Sequence, residues 1–274
     1  MTAALAVTGS TGLLGGRVAR RLAALDVPQR LLVRDPARAP QLPATSVAVA
    51  SYGDGAAVRG ALTGIGTVFM VSGAETPDRV AQHRTFIDAA VAAGVQRLVY
   101  TSFFGAAPDA TFTLARDHWA TEEHIRASGL RYTFLRDNLY LDFVPLLAGA
   151  DGVIRGPAAD GRVAAVAQDD IAEVATAVLT GMDRHDGVTY HLTGPVALTL
   201  AEAADILGVR YQPETVAEAY ASRARYGAPA WQVDAWVSTY TAIAAGELAP
   251  VSDDVRRVTG RPPMTLAELL ARLD

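Results

Sequence analysis

The stretch "LAVTGSTGLLGGRV", residues 5–18, joins a short apolar run to an amphipathic one through a glycine-rich turn. Gly9, Gly12 and Gly15 stand at G-x-x-G-x-x-G spacing, with Ser10 and Thr11 between the first two. Where a strand gives way to a helix the chain must turn sharply and admit a ligand to its backbone, and side chains obstruct both. A helix beginning near Gly12 turns the unpaired N–H groups of its first residues, Leu13, Leu14 and Gly15, and the positive end of its dipole toward that turn. This favours a pyrophosphate, and Gly15 lets helix and sheet pack closely. An ordinary strand-to-helix turn carries the same triplet, so its meaning depends on the residues around it.

Those residues alternate in type. Apolar, mostly β-branched runs at 4–7, 30–33, 47–50, 67–71, 97–100 and 131–135 read as buried strands. Between them, 13–24, 55–62, 77–93 and 113–127 carry helical spacing. Strands alternating with helices predict an α/β fold, a doubly wound parallel sheet of Rossmann type. Past residue 150 the alternation weakens. Thr199 with Glu202, Thr215 with Glu218 and Thr265 with Glu268 read as capping boxes, while 188–192 reads as a strand returning to the sheet. The expected organisation is a dinucleotide-binding domain over 1–150 and a mainly helical substrate lobe over 151–274, with a seam in the Gly/Asp/Pro-rich stretch 149–161.

Composition narrows the function. The chain has 274 residues, half of them hydrophobic, with a formal net charge of −5 and no cysteine. An acidic balance gives no general attraction for nucleic acid or anionic membrane, and without thiols there are no disulfides and no cysteine nucleophile. No export-leader pattern or spanning apolar stretch is read, so the expectation is a cytoplasmic protein. The five histidines, 83, 118, 124, 185 and 191, show no ligand spacing with carboxylates, and no metal is expected. The acidic pairs Asp169-Asp170 and Asp253-Asp254 read as helix-opening caps. All 24 basic residues are arginine, which removes every mechanism that needs a lysine.

The second strand selects the nucleotide. In "LLVRDPAR", Arg34 stands at the strand tip and Arg38 one short turn later, while Asp35 falls one place late for a free ribose hydroxyl. Two guanidiniums suit a 2′-phosphate, so the expected cofactor is NADP (NADPH); the alternative is a pair of solvated loop charges. Tyr52, in "SYGD" after the third strand, is placed beside the adenine. Ser72 and Gly73 follow the fourth strand, and Thr101 and Ser102 the fifth, where open sheets bind ligands; satisfied strand-end hydroxyls are the competing reading.

The stretches "TGSTGLLGG", "VRDPAR", "QHRTFIDAAVAAGVQRLVYTS", "HWATEEHIRASGLRYTFLRDNLYLDF", "YHLTG" and "SDDVRRVTG" resemble the NmrA-like atypical branch of the short-chain dehydrogenase/reductases. Within that branch they are similar to the type-2 NAD(P)H:quinone oxidoreductases and triphenylmethane reductases. The resemblance implies an NADPH-dependent oxidoreductase and admits a homodimer. Classical members use a tyrosine acid and a lysine four residues later; here Leu114 and His118 stand in those places. His118 would hold the nicotinamide ribose or relay a proton, or else be a buried structural histidine. Asn138 and Tyr140, in "RDNLYLDF", resemble the segment over the family's substrate site, and Tyr140 is the best remaining hydroxyl donor or else a core aromatic with one wet end. Tyr226, Trp231, Trp236 and Tyr240 give the later lobe aromatic surface for a flat acceptor, or core.

Loss of the usual acid favours acceptors that delocalise the arriving electrons. Reducing an isolated ketone leaves a localised alkoxide, whereas a quinone gives a delocalised anion and a triarylmethane cation becomes neutral. The expected activity is hydride transfer to a quinone-like or other conjugated small molecule. The alternatives are a non-catalytic NADP(H)-binding redox sensor and a biosynthetic reductase or isomerase with a dedicated substrate.

Overall fold

In the computed structural model, which describes residues 4–272, the elements alternate as the periodicity predicts. The order is β1 (Ala4–Thr8), α1 (Leu13–Ala24), β2 (Gln29–Val33), β3 (Thr45–Val49), α2 (Gly55–Leu62), β4 (Ile65–Met70), α3 (Arg79–Ala92), β5 (Arg97–Phe103), α4 (Thr113–Ala127) and β6 (Arg131–Asp137). There follow β7 (Val153–Gly156), β8 (Arg162–Val163), α5 (Gln168–Gly181), β9 (Val188–Leu192), β10 (Leu198–Thr199), α6 (Leu200–Leu207) and β11 (Arg210–Pro213). The helices α7 (Val216–Ala224), α8 (Ala230–Ala244), α9 (Asp254–Thr259) and α10 (Leu266–Leu270) complete the chain.

Seven strands form one sheet in the order β3-β2-β1-β4-β5-β6-β9, so the late strand does return. The pairs β1–β2, β1–β4, β2–β3 and β4–β5 are parallel, with Val7 opposite both Leu31 and Phe69. The order reverses at β1, and the crevice beside such a switch point is where open α/β sheets bind ligands. The other strands form two small pairs, β10–β8 and β11–β7. The region past residue 150 is therefore helical with two-stranded ribbons added.

The chain divides into two compact units that are each discontinuous in sequence, where the sequence reading placed one boundary near residue 150. The first comprises residues up to Ser102, Trp119–Leu135 and Ile171–Tyr190. The second comprises Phe103–His118, Arg136–Asp170 and the chain from His191 onward. No composition change marks these crossings, because each falls inside or beside a regular element rather than in a linker. The first core is built around Leu62, Met70, Phe86, Leu98, Tyr100 and Phe134, and the second around Phe103, Phe112, Leu141, Ile154, Ile243 and Met264.

Helix starts follow local chemistry. All three predicted capping boxes form, with Thr199, Thr215 and Thr265 each exchanging hydrogen bonds with the glutamate three residues on. The acidic pairs do something else. Asp170 accepts from the Met264 N–H at 2.7 Å and pairs with Arg261 at 2.8 Å; Asp254 accepts from the His191 N–H at 2.8 Å. Asp253, though at the N-cap of α9, makes no side-chain cap bond. The capping assignment for Asp170 and Asp254 is thus corrected: tertiary donors took carboxylates that first-turn position alone suggested for the helix.

Candidate functional site

The glycine turn has the geometry of a phosphate cradle. Gly9 adopts φ +66°, and a Cβ there would lie 2.9 Å from Val71 Cβ. Gly12 N–H closes the turn onto Gly9 O at 2.9 Å and begins α1 without any side-chain cap. By helix geometry, the first-turn N–H groups of Leu13, Leu14 and Gly15 open toward the turn. At Gly15 a Cβ would stand 2.5 Å from the Gly9 carbonyl carbon and oxygen, so α1 packs directly on the end of β1. Ser10 is buried, yet its Oγ has no hydrogen-bond partner among the described residues. An orphaned hydroxyl beside uncapped helix amides fits a dinucleotide's pyrophosphate.

Beyond β2, Arg34 and Arg38 are both exposed. Asp35 bends back to accept from the Ala37 N–H at 3.0 Å, capping the 3-10 turn Pro36–Arg38. One oxygen of its carboxylate is thereby committed to its own turn.

The strand ends beside the cradle are laced together by side chains. Thr8 Oγ1 accepts from the Val71 N–H at 2.9 Å, and the Tyr52 hydroxyl donates to Val71 O at 2.6 Å while contacting Thr8 Oγ1. Burial pushes the Tyr52 phenol well above its usual range, against the Thr8 hydrogen bond and the nearby Arg34 charge. With its hydroxyl held this way and its ring 4.6 Å from Phe86, Tyr52 locks β1 to β4, and any contact with an adenine is left to the ring. Ser72 N–H donates to Thr101 Oγ1 at 2.8 Å. Ser102 Oγ donates to Glu122 Oε1 at 2.6 Å, and Arg126 reaches Glu122 Oε2 at 3.0 Å. Thr101 and Ser102 thus hold the strand tips in place, the competing reading of these hydroxyls.

His83 and Glu122 are both committed to contacts within the fold, His83 to Gly73 and Thr121 and Glu122 to Ser102 and Arg126. Gly73 N–H donates to His83 Nε2 at 2.8 Å, so Nε2 is the unprotonated nitrogen and Nδ1–H donates to Thr121 Oγ1 at 2.9 Å. Burial, helped by the Arg79 charge, pushes this imidazole down to about 3. Arg79 Nε also holds Gly73 O at 3.0 Å. The loop after β4 is therefore fixed by a neutral histidine. Above its ordinary pKa His83 is uncharged folded or unfolded; below it the unfolded chain takes a proton that the native protein refuses. As pH drops from about 6.5 toward about 3, stability should fall by up to about 1.4 kcal/mol per unit. Denaturant titrations of His83→Gln should lack that slope, and an identical slope in both proteins would assign it elsewhere.

The second unit holds a cavity of about 1030 Å³ whose walls include Tyr140, Phe143, Tyr226, Trp236 and Tyr240. That is ample for a flat multi-ring molecule. Three of the four expected aromatics line it; Trp231 does not. Arg223 lies 5.1 Å over the Tyr240 ring and pairs with Glu214 at 2.8 Å. His118 is 6% exposed, its ring 6.0 Å from Phe103. Asn138 donates from Nδ2 to Leu248 O at 3.0 Å and accepts the Leu139 N–H on Oδ1 at 2.8 Å. Fully buried and bonded at both ends of its amide, it ties the segment after β6 to Leu248. Among the described residues no group of three or more His, Cys, Asp or Glu is placed to hold a metal, and no helix is long and apolar enough to cross a membrane.

A glycine cradle at the first crossover of a doubly wound sheet defines a dinucleotide-binding protein of Rossmann type. A family model described as NAD(P)H-binding matches residues 9–181, and the chain belongs to that family. It is 35% identical to an NAD(P)H azoreductase of Xenophilus azovorans, over 96% of this chain and 95% of that one. It superposes on an NADPH-dependent quinone oxidoreductase from Escherichia coli, solved with NADPH, with TM-score 0.90 and 34% identity over 98% of this chain and 99% of the other. The Citrobacter triphenylmethane reductase solved with NADP(H) gives TM-score 0.87 and 30% identity, over 98% and 99%.

Proposed function

We propose that this NAD(P)H-dependent oxidoreductase passes a hydride from NADPH to a quinone-like or other conjugated small molecule without a Tyr-x-x-x-Lys pair. The single observation that carries the reading is the cradle itself: the Gly9–Gly15 turn, tight enough to exclude any Cβ at Gly15, beside the orphaned Ser10 hydroxyl. The similar proteins named above, by their names an NAD(P)H azoreductase, a quinone oxidoreductase and a triphenylmethane reductase, support the acceptor class.

In this reading Gly9, Ser10, Thr11 and Gly12, with the first-turn amides of Leu13, Leu14 and Gly15, hold the pyrophosphate. Arg34 and Arg38 hold the 2′-phosphate, Tyr52 borders the adenine, and Ser72, Gly73, Thr101 and Ser102 shape the strand ends toward the nicotinamide. NADPH, when bound, supplies the hydride; the protein supplies orientation and shelter from water. The aromatic cavity takes the acceptor, and Tyr140, on its wall, gives the reduced oxygen its proton. His118, on α4, is assigned to holding the nicotinamide ribose or relaying a proton. A cytoplasmic location fits a cysteine-free chain, and the family resemblance admits a homodimer.

Loss of NADPH absorbance with a panel of quinones and triarylmethane dyes tests the reading. Turnover with at least one class is expected, and firm NADPH binding without turnover of any acceptor would favour the sensor instead. Tyr140→Phe should lower quinone turnover about 100-fold or more, the range of positioned acids. His118→Ala should lower it as well, and unchanged rates in both would remove these residues from the site.

A further inference from the structure

One buried acid stands behind Tyr140. Asp137 closes β6 with its side chain 1% exposed; Oδ2 lies 3.4 Å from the Tyr140 hydroxyl and Oδ1 has no hydrogen-bond partner. No arginine pairs with it among the described residues. A carboxylate there would hold its charge with one long hydrogen bond and no cation, which is the costly state for a buried acid. Burial pushes Asp137 well above the usual carboxylate range. The Tyr140 O–H donates to Oδ2 at 3.4 Å, and with Asp137 protonated the same pair of oxygens can carry the bond in the other sense, the acid donating to the phenol oxygen. Tyr140 lines the aromatic cavity. The next carboxylate along the segment, Asp142, accepts from the Gln168 N–H at 2.8 Å.

We propose that Asp137 is a proton relay behind Tyr140, supplying through the phenol oxygen the proton that a quinone-type acceptor needs once hydride has added. The proposal rests on the reductase reading given above. As hydride forms its bond to the acceptor, the carbonyl electron pair moves to oxygen. The Tyr140 O–H bond breaks and its proton joins that oxygen. The Asp137 O–H bond then breaks, its proton restores the phenol, and the carboxylate regains a proton from water. The quinone is reduced by two electrons and NADPH oxidised by two. A triarylmethane cation needs hydride alone, since its product is neutral, and so makes no demand on Asp137.

Two measurements on the full chain test this. In infrared difference spectra at neutral pH, wild type minus Asp137→Asn should show the carbonyl band of a neutral carboxylic acid. Carboxylate bands in its place would overturn the proposal. Should the asparagine variant fail to fold, Tyr140→Phe serves, because loss of the acceptor should move the same band to higher frequency; an unmoved band counts against the relay. In steady state, Asp137→Asn should lower kcat for a quinone about tenfold more than kcat for a cationic triarylmethane dye, with KM little altered. Equal losses on both acceptors would mark Asp137 as packing. If wild type reduces no acceptor, the reductase reading fails while the infrared result still decides the state of Asp137.

Discussion

Replacing Arg34 with alanine is expected to weaken NADPH binding about 10–100-fold while changing NADH binding less than about threefold. Hydrogen bonds to charged groups contribute about 1.5–3 kcal/mol, and every 1.4 kcal/mol is a factor of ten. Only the 2′-phosphate distinguishes the two cofactors, so the selectivity must come from groups that meet it. Arg34 is exposed at the tip of β2, and Asp35, the one acid nearby in sequence, is turned onto Ala37 N–H. Titration calorimetry with both dinucleotides reads the effect. Equal losses for the two would show that Arg34 serves the pyrophosphate or the fold instead. Rising salt should reduce the NADPH preference, because an exposed guanidinium is readily screened.

Gly15→Ala should be the most damaging single-methyl change in the first crossover. The added carbon would fall 2.5 Å from the Gly9 carbonyl and 2.7 Å from Thr8 O, both backbone atoms that no rotamer change can move. Helix α1 must lift from β1, at a cost of about 1–3 kcal/mol or more for overpacking, and the first-turn amides leave their positions. Chemical denaturation should show the loss, and calorimetry should show dinucleotide affinity falling by a larger factor than for any surface alanine. Gly60→Ala is the control. It lies inside α2, where a Cβ meets nothing within 4 Å, and should stabilise by about 0.5–1 kcal/mol through helix propensity. Similar behaviour of the two variants would mean that close packing at Gly15 is not what the cradle depends on.

Much of the framework was legible in the chain because it depends on neighbours a few residues apart. Apolar runs became strands within two or three residues of their expected ends, and 188–192 returned to the sheet as β9. Each Thr-x-x-Glu formed its box because both partners sit in one helical turn. The site was legible only in part. Glycine spacing located the cradle, but the hydroxyl and amide residues at strand ends were ambiguous: Ser102 binds Glu122, twenty residues away, and Asn138 binds Leu248, 110 residues away. Nothing in "RDNLYLDF" separates the asparagine that is saturated from the aspartate that is not. An acid ending an apolar run was the available signal, and its meaning depends on burial.

The sequence by itself determined the alternating α/β order, the glycine turn, the arginines past the second strand and the absence of lysine, since backbone conformation and residue chemistry are set locally. Only the tertiary structure decided which polar groups are committed and which remain available: His83 neutral against Gly73, Asp35 turned onto its own 3-10 turn, Asp137 buried with Oδ1 unpartnered among the described residues. Desolvation and hydrogen-bond partnering arise from atoms brought together across the fold, so charge state and availability belong to the packed molecule and not to the spacing of its letters.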